Sequence, residues 1–385
     1  MSRRSALKAS VGLAAFAGIG GLEAVATTGT AHADPTSPAA ASPATDLSFI
    51  IDCDTWGARP PSSPLVMRVG TTRKIVVHHT DYPNTTDYSR NQAIWLAKDI
   101  QNLHMDHNGW SDTGQHFTVS RGGYVTEGRH RSLEGLTLGT EQVQSAHCVG
   151  ENTQSIGIEN EGTYITETPT PMLWASLVRL CVAICKQYGI HAHNMFGHWD
   201  YNNTDCPGIA FYREFPRLRL EVAALLRQDY GQIPARTWPD VFSSNAGPVV
   251  AVLQYLLVNQ GYALPTDGIA FTAATVAAVQ DWQAKHGFIV ASDGTATDPT
   301  WETLGVPLRK GDDGPAVSGL QSILAHKGYE VAVSGTFDQD THKAVQKMQV
   351  LHGLLPTGKV DTNTWCATVG GIVAEEFRIL KYLHP

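Results

Sequence analysis

The sequence predicts an α/β domain, with a mixed central sheet flanked by helices, followed by two copies of a small helical unit. Within residues 48–230, runs rich in β-branched residues alternate with segments of helical periodicity, which is typical of α/β domains. A turn-rich linker follows at residues 231–240. The chain then repeats itself with a period close to 66 residues, which indicates duplicated modules at residues 241–306 and 307–370.

Each element of the first domain has its own signal. Strands are predicted where β-branched residues concentrate, and helices where apolar residues recur at helical spacing between start and stop residues. A Gly-containing turn between two short extended runs predicts a hairpin. The predicted elements are a strand at 74–80, a helix at 89–109, a hairpin formed by 115–120 and 123–128, a strand at 155–162, a helix at 169–190 and a further helix at 206–228.

The two repeats correspond along their length. The segment VVAVLQYLLVNQGY (249–262) matches AVSGLQSILAHKGY (316–329), and FTAATVAAVQDWQAKHG (271–287) matches FDQDTHKAVQKMQVLHG (337–353). The tetrapeptides at 298–301 and 362–365 also correspond, each ending in Trp. Trp282, Trp301 and Trp365 are therefore expected to form cores rather than sugar-stacking platforms.

The N-terminus reads as a targeting segment. A charged start, an apolar run and the Ala31-His32-Ala33 site predict a signal peptide at residues 1–33, followed by a flexible Pro/Ala/Ser/Thr-rich leader at 34–47. Arg3 and Arg4 indicate the twin-arginine export route, and an ordinary secretory signal is the alternative. We therefore expect an exported protein without a stable membrane anchor.

Charge and cysteine content narrow the partners and the chemistry. Removal of residues 1–33 takes away three basic residues and one acidic residue, so the net charge changes from −8 to −10. This balance argues against a nucleic-acid partner, which requires a basic face. Export permits disulfides; Cys181 and Cys185 lie four residues apart on a predicted helix, and a partner such as Cys53 is expected for them rather than each other.

His and Cys side chains suggest a metal site. His198 and Cys206 lie eight residues apart in GHWDYNNTDCPG, and imidazole and thiolate are good zinc ligands. A third ligand is expected from the pair His78-His79, of which only one can face the metal, because successive strand residues point to opposite faces. Three protein ligands with a fourth position left to water characterise catalytic zinc sites.

A carboxylate is expected beside this metal. In SIGIENEG (155–162), Glu159 and Glu161 share one strand face. We interpret Glu159 as a proton acceptor and Glu161 as part of a solvated face. His104, His107, His116 and His147 are expected to line or brace the site rather than to bind metal.

Four motifs, VVHHT, GWSDTGQHFTVSRGGYVTEGR, SAHCVGENTQSIGIENEGTY and GHWDYNNTDCPG, resemble those of the zinc N-acetylmuramoyl-L-alanine amidases, a family that includes the peptidoglycan recognition proteins. The resemblance covers about residues 48–230. The C-terminal repeats resemble the bacterial peptidoglycan-binding module, which implies two three-helix modules.

The resemblance implies roles for individual residues. The zinc ligands fall on His78, His198 and Cys206, and Glu159 falls on a catalytic glutamate. Thr204 and Gln115 are expected to help stabilise the oxyanion; Gln115 stands where many members carry a tyrosine, and glutamine is neither an acid nor a base near neutral pH. Contacts with substrate are expected from Trp56, His147 and Arg129.

The resemblance implies a zinc hydrolase, secreted to the cell wall, that cleaves the bond between N-acetylmuramic acid and L-alanine in peptidoglycan, and a monomer is expected. The alternatives are a non-catalytic peptidoglycan recognition protein and, more remotely, a zinc peptidase acting within the stem peptide. The repeats are expected to target the wall, so that their deletion weakens wall binding more than turnover of a soluble fragment.

Overall fold

The computed structural model describes residues 45–374 except 203, 229–234, 244 and 268–269. The predicted signal peptide and twin-arginine motif, nearly all of the leader and part of the linker lie outside the described residues. From Thr45 onward the chain forms one compact unit. Among the described residues, no helix combines the length and apolar character needed to cross a membrane.

A six-stranded mixed sheet forms the centre of the first domain, with strand order β1-β5-β4-β7-β3-β8. All neighbouring strands in it are parallel except β4 and β5, which form the predicted hairpin. The strands of this domain are β1 (Ile50–Ile51), β2 (Met67–Val69), β3 (Lys74–His79), β4 (Phe117–Val119), β5 (Val125–Glu127), β6 (Glu141–Val143), β7 (Ser155–Asn160) and β8 (Met195–Gly197). Strands β2 and β6 form a separate antiparallel pair.

Helices flank this sheet, as predicted. Ser89 caps the start of α2, and Thr170 caps the start of α4. Helix α4 begins at Pro171 and is followed by Gly189 as its C-cap, in agreement with the start and stop signals for this helix. The helices are α1 (Cys53–Trp56), α2 (Arg90–Asn102) with a π-helical continuation (Leu103–His107), α3 (Ser132–Leu138), α4 (Pro171–Tyr188), a 3-10 turn (His198–Asp200), α5 (Ile209–Tyr212) and α6 (Phe215–Leu226).

The single helix predicted at 206–228 is wrong. The segment forms two helices, α5 and α6, which are separated at Arg213 and Glu214. Pro216 has no backbone N–H and is tolerated only in the first turn of a helix, so the helix must begin again just before it.

The central strands are buried on both faces. Ile75, Val77, Ile156 and Ile158 are at most 1% exposed and belong to one core with the apolar face of α4. Near-continuous apolar runs are typical of parallel strands covered by helices. This burial fixes the register of β3 against β7, in which His78 is paired with Glu159.

All six cysteines are among the described residues, and none forms a disulfide with another. Cys181 and Cys185 belong to α4 and point into the core beneath it, whereas Cys53 packs in a different cluster with Trp56 and Ala97. The expected bridge from Cys53 is therefore wrong, because these thiols are buried in separate parts of the domain.

Each C-terminal repeat contains three helices. These are α7 (Pro248–Asn259), α8 (Ala273–Lys285) and α9 (Asp298–Leu304) in the first repeat, and α10 (Pro315–His326), α11 (Gln339–Leu351) and α12 (Thr362–Thr368) in the second. Trp282, Trp301 and Trp365 are buried, as expected, and both repeats contribute to one continuous apolar core. Two short strands, β9 (Arg236–Thr237) and β10 (Ile372–Val373), pair antiparallel and join the start of this region to its end.

Buried glutamines repeat with the helices. Gln283 and Gln349, 66 residues apart, each donate from the side-chain amide to a loop carbonyl and to a threonine hydroxyl of the following helix. Gln321 likewise donates to the Thr336 carbonyl and the Thr341 hydroxyl, and it accepts from the backbone N–H groups of residues 334 and 335. Each amide therefore ties a loop to two helices.

Replacement of Gln321 by leucine should leave these loop N–H and carbonyl groups buried without partners. We expect Gln321→Leu to lower the free energy of unfolding by about 3 kcal/mol, measured by urea denaturation. Gln346, a partly exposed glutamine of α11, is the matched control, and Gln346→Leu should cost less than about 1 kcal/mol. Equal losses in the two variants would contradict a tethering role for Gln321.

Candidate metal centre and catalytic cleft

Three potential metal ligands meet at the carboxyl edge of the sheet. His78 lies near the end of β3, His198 directly follows β8, and Cys206 lies in the loop after it. Strands β3 and β8 are parallel neighbours, so their carboxyl ends lie side by side. The ligand atoms of the three residues all lie within 4.8 Å of one another, and Cys206 Sγ is 3.6 Å from His78 Nδ1.

Hydrogen bonds fix the tautomer of His78. The Ser155 hydroxyl donates to the carbonyl oxygen of Glu151, so its oxygen accepts from His147 Nε2–H at 3.2 Å. The other nitrogen of this neutral ring, His147 Nδ1, must then accept from His78 Nε2–H at 2.9 Å. The lone pair of His78 is thereby left on Nδ1, the nitrogen that faces Cys206.

His198 is oriented in the same way. Its Nε2–H donates to the side-chain carbonyl of Asn202 at 3.1 Å, which leaves Nδ1 as the nitrogen with a lone pair. Burial holds the pKa of His78 well below its usual value and lowers that of His198 to about 4. Both rings are therefore neutral near pH 7, as metal coordination requires.

The thiol of Cys206 completes the donor set. The backbone N–H of His79 donates to its sulfur at 3.3 Å. Burial nonetheless raises the pKa of this thiol well above its usual value, so a thiolate at this position requires a nearby cation. Two neutral imidazoles and one such thiol are a donor set that fits zinc.

Glu159 lies beside this cluster. One of its carboxyl oxygens is 3.9 Å from His78 Nδ1, and the other is buried without a hydrogen-bond partner among the described residues. Burial raises the pKa of this carboxyl group to about 8. An acid whose pKa lies near neutrality can both accept and return a proton.

A cleft of about 420 Å³ opens over the cluster. The predicted residues that line it are His78, Gln115, His147, Glu159, His198, Thr204 and Cys206. Gly157 permits this arrangement, because a Cβ atom there would lie 2.4 Å from the ring of His147. Thr204 accepts from the backbone N–H of Cys206, and this contact orients its hydroxyl at the cleft.

Gln115 lines the cleft and is held by a neighbouring residue. Its amide nitrogen donates to the Thr118 hydroxyl at 2.8 Å, while its carbonyl oxygen is buried without a partner among the described residues. The amide nitrogen carries two N–H donors, and the contact with Thr118 uses one of them. The expected contribution of Gln115 to oxyanion stabilisation therefore stays a prediction.

Trp56 and Arg129 do not line the cleft. Trp56 is 1% exposed, and its indole N–H donates to the backbone carbonyl of Glu127 at 2.8 Å. Arg129 is also buried and donates to the Thr113 carbonyl and the Ser111 hydroxyl. Both side chains are engaged within the domain, so the structure gives them a supporting position rather than the expected contact with substrate.

Glu161 is not on a solvated face, which corrects the sequence prediction. It is 1% exposed, and its carboxylate accepts from the Arg121 backbone N–H and from the Gln92 side chain. The strand β7 ends at Asn160, so the alternation that would have exposed Glu161 does not continue to this residue.

The cleft also contains residues that sequence reasoning did not assign. Trp110 packs on the ring of His104 with centroids 4.7 Å apart, and Asp81, Ile165 and Asp205 complete the wall. His104 is cleft-lining, as expected, and accepts from the backbone N–H of Gly114. The signal that could have found Trp110 is an aromatic residue in a polar, Gly-flanked loop beside a predicted site residue.

His116 braces the floor of the site. Its Nδ1 accepts from the Gly157 backbone N–H, and its Nε2 donates to the Val143 carbonyl. Burial lowers the pKa of His116 from 6.5 to about 3.

This lowered pKa predicts a loss of stability in acid. Between about pH 6.5 and pH 3 the unfolded chain binds a proton at His116 that the folded chain does not, so acidification favours unfolding. We expect the free energy of unfolding, measured by urea denaturation with a chelator present, to fall more steeply from pH 7 to pH 4 in the wild type than in His116→Gln. The difference between the two slopes should correspond to about one proton taken up on unfolding. His107→Gln, at an exposed position, should follow the wild type; identical slopes for all three proteins would contradict the assignment.

Two family models match separate parts of the chain. Residues 68–209 match the family model described as N-acetylmuramoyl-L-alanine amidase, and residues 313–367 match that of a peptidoglycan binding domain. The chain is 30% identical over 168 residues to peptidoglycan-recognition protein SC2 of Drosophila simulans, an alignment that covers 43% of this chain and 83% of that protein.

Two further proteins are similar to part of this chain. The N-acetylmuramoyl-L-alanine amidase of Homo sapiens is 28% identical over 197 residues, covering 48% of this chain and 32% of that protein. The solved structure of the N-acetylmuramoyl-L-alanine amidase LysC from Clostridium intestinale is 26% identical, with a TM-score of 0.34, and the match covers 47% of this chain and 98% of that one. This chain belongs to the family of N-acetylmuramoyl-L-alanine amidases and peptidoglycan-recognition proteins, and it carries a peptidoglycan-binding domain in its second C-terminal repeat.

Proposed function

We propose that this protein is a zinc-dependent N-acetylmuramoyl-L-alanine amidase, which hydrolyses the amide bond between N-acetylmuramic acid and L-alanine in peptidoglycan. The observation that carries the proposal is the complete set of His78, His198 and Cys206, with Glu159 beside it. Recognition proteins that only bind peptidoglycan usually lack one of these ligands, most often the cysteine. A full donor set with an adjacent proton acceptor favours hydrolysis over binding alone.

The residues of this chain divide the chemistry between them. His78 Nδ1, His198 Nδ1 and Cys206 Sγ would hold zinc, which when bound activates water and polarises the scissile carbonyl. Glu159 accepts the proton of the attacking water and then delivers it to the amine of L-alanine as the amide bond breaks. The Thr204 hydroxyl donates to the developing oxyanion.

Gln115 supports this reaction in a different way from a tyrosine. Its amide nitrogen carries two N–H donors, and the one that Thr118 does not take can donate to the oxyanion. Because glutamine does not titrate, the proton transfers depend on Glu159.

The C-terminal repeats support delivery to the wall. In the second repeat, a groove of about 410 Å³ is lined by Leu308, Arg309, Asp312, Lys359 and Asp361, among others. Side chains of both charges suit a polymer that carries hydroxyl, carboxylate and amine groups. Together with the predicted signal peptide, this groove supports action on the cell wall after export.

Loss of the thiol should abolish metal binding. Cys206→Ala removes the only sulfur in the cluster, so dialysed protein is expected to retain little zinc where the wild type retains one ion per chain, measured by elemental analysis. Cys185→Ala, at a buried thiol in the core under α4, is the control and should retain zinc. Equal zinc content in Cys206→Ala and the wild type would contradict the assigned ligand set.

Removal of the carboxylate should separate binding from turnover. Glu159→Gln is expected to keep zinc and to lower turnover by a factor of about 10² to 10⁴, because the amide cannot accept or return a proton. Release of stem peptides from purified peptidoglycan, followed by mass spectrometry, measures this loss. Glu161→Gln, on the same stretch of chain but directed at Arg121 and Gln92, should keep most of its turnover.

The products also decide between the alternatives. An amidase releases whole stem peptides that begin with L-alanine and leaves the glycan intact. Fragments cut within the stem peptide would identify a peptidase, and wall binding without any product from zinc-loaded wild-type protein would identify a recognition protein.

A further inference from the structure

The second repeat packs directly on the loop that carries two of the metal ligands. This loop, residues 197–208, includes His198 and Cys206. Helix α10 ends at His326, and the next residue, Lys327, lies with its Nζ 3.7 Å from Asp200 Oδ1. The side chains of Lys327 and Asp200 are 4% and 0% exposed, so the ion pair is buried between the repeat and the loop.

Asp200 determines the conformation of this loop. One of its carboxylate oxygens accepts from the Gly197 backbone N–H at 2.8 Å, and the other accepts from the Tyr212 hydroxyl at 2.9 Å. These contacts close the 3-10 turn that begins at His198 and thereby set the direction of this imidazole. A buried carboxylate is stable only where a compensating charge and hydrogen bonds are supplied, and Lys327 supplies the nearby cation.

Further contacts from the repeats surround the same turn. The ring of His326 lies 5.8 Å from that of Trp199, centroid to centroid, and it also lies against the backbone of Thr204. Gly370 approaches Asp200 so closely that a Cβ atom would lie 2.4 Å from Oδ1. Ile372 of β10 packs in an apolar cluster with Tyr201.

The internal duplication shows that the residues at this helix end differ between the two repeats. In the aligned repeats, His326 and Lys327 of the second copy correspond to Asn259 and Gln260 of the first. Asn259 and Gln260 are exposed, whereas Lys327 is buried. The same position at the end of the same helix is therefore polar and solvent-facing in one copy, and cationic and docked on the metal-binding loop in the other.

We propose that the second repeat is a structural part of the metal centre, in which Lys327 and His326 are positioning residues that hold the loop carrying His198 and Cys206. The inference rests on the proposed metal function of these two ligands. It changes the expectation for deletion of the repeats, since removal would leave Asp200 without Lys327 and Tyr201 without Ile372. Such a deletion would lower turnover on small soluble fragments as well as wall binding.

Substitution of Lys327 by the residue of the first repeat tests this proposal in the full chain. Lys327→Gln should raise the zinc dissociation constant about 10-fold or more, measured by competition with a chromophoric chelator. Hydrogen exchange of backbone amides in residues 197–208 should be faster in metal-free protein, while exchange in the central sheet stays unchanged. The control is Lys343→Gln, an exposed lysine of α11 paired with Asp340, which should change neither quantity.

A second variant keeps the test decisive if Lys327→Gln folds poorly. His326→Asn also introduces the residue of the first repeat. It removes the imidazole that contacts Trp199 but leaves the ion pair of Lys327 with Asp200. The zinc dissociation constant and the exchange rates should change in the same direction as in Lys327→Gln, but by less. Wild-type zinc affinity and wild-type exchange of residues 197–208 in both variants would overturn the proposal. Hydrogen exchange of the metal-free protein does not depend on amidase activity, so an inactive wild type would refute the proposed function without deciding this inference.

Discussion

The parallel pairing of β3 with β7 on one side and β8 on the other is the constraint on which the site depends. It brings the carboxyl ends of three strands to one edge of the sheet. His78 and Glu159 are the last residues but one of β3 and β7, and His198 directly follows β8. The register is held by side chains that are buried on both faces, so a slip of one residue would reverse every side chain. Cys206 is then brought in by the loop that begins at the end of β8.

Burial gives this edge its chemical character. It keeps two imidazoles neutral, and it raises the pKa values of the thiol of Cys206 and the carboxyl group of Glu159. Such a cluster favours a bound cation. The three ligand atoms have lone pairs that face one another, and no positively charged group lies between them among the described residues. The chain of hydrogen bonds from His78 through His147 to Ser155 adds orientation to this electrostatic preference.

Much of the site could be predicted from sequence, because its signals are local. Strand alternation predicts that one of His78 and His79 faces a metal, and the resemblance of the motifs to a known family points to His78, His198, Cys206 and Glu159. Helix caps and the internal repeat likewise gave the helices and the two C-terminal modules. The signals failed where tertiary contacts decide the outcome: Trp56 and Arg129 resemble substrate contacts in sequence, but hydrogen bonds within the domain engage them.

Other features were beyond sequence reasoning for the same reason. Whether Glu161 is solvated depends on Gln92 and on the backbone of Arg121, which come from other parts of the fold. The contact of Lys327 with Asp200 joins residues in different modules, and a lysine at the end of a predicted helix carries no sequence signal for its partner. The two repeats are similar enough to be aligned, yet only the structure shows that the second copy places Lys327 against Asp200 in the loop that carries His198 and Cys206.

X-ray absorption spectroscopy at the zinc edge of the metal-loaded protein tests the central claim most directly. The account predicts one sulfur at about 2.3 Å and two imidazole nitrogens at about 2.0–2.1 Å, with an additional light-atom ligand that a substrate or inhibitor can displace. A zinc ion without sulfur in its coordination sphere, or one bound by four protein ligands with no position for solvent, would contradict it.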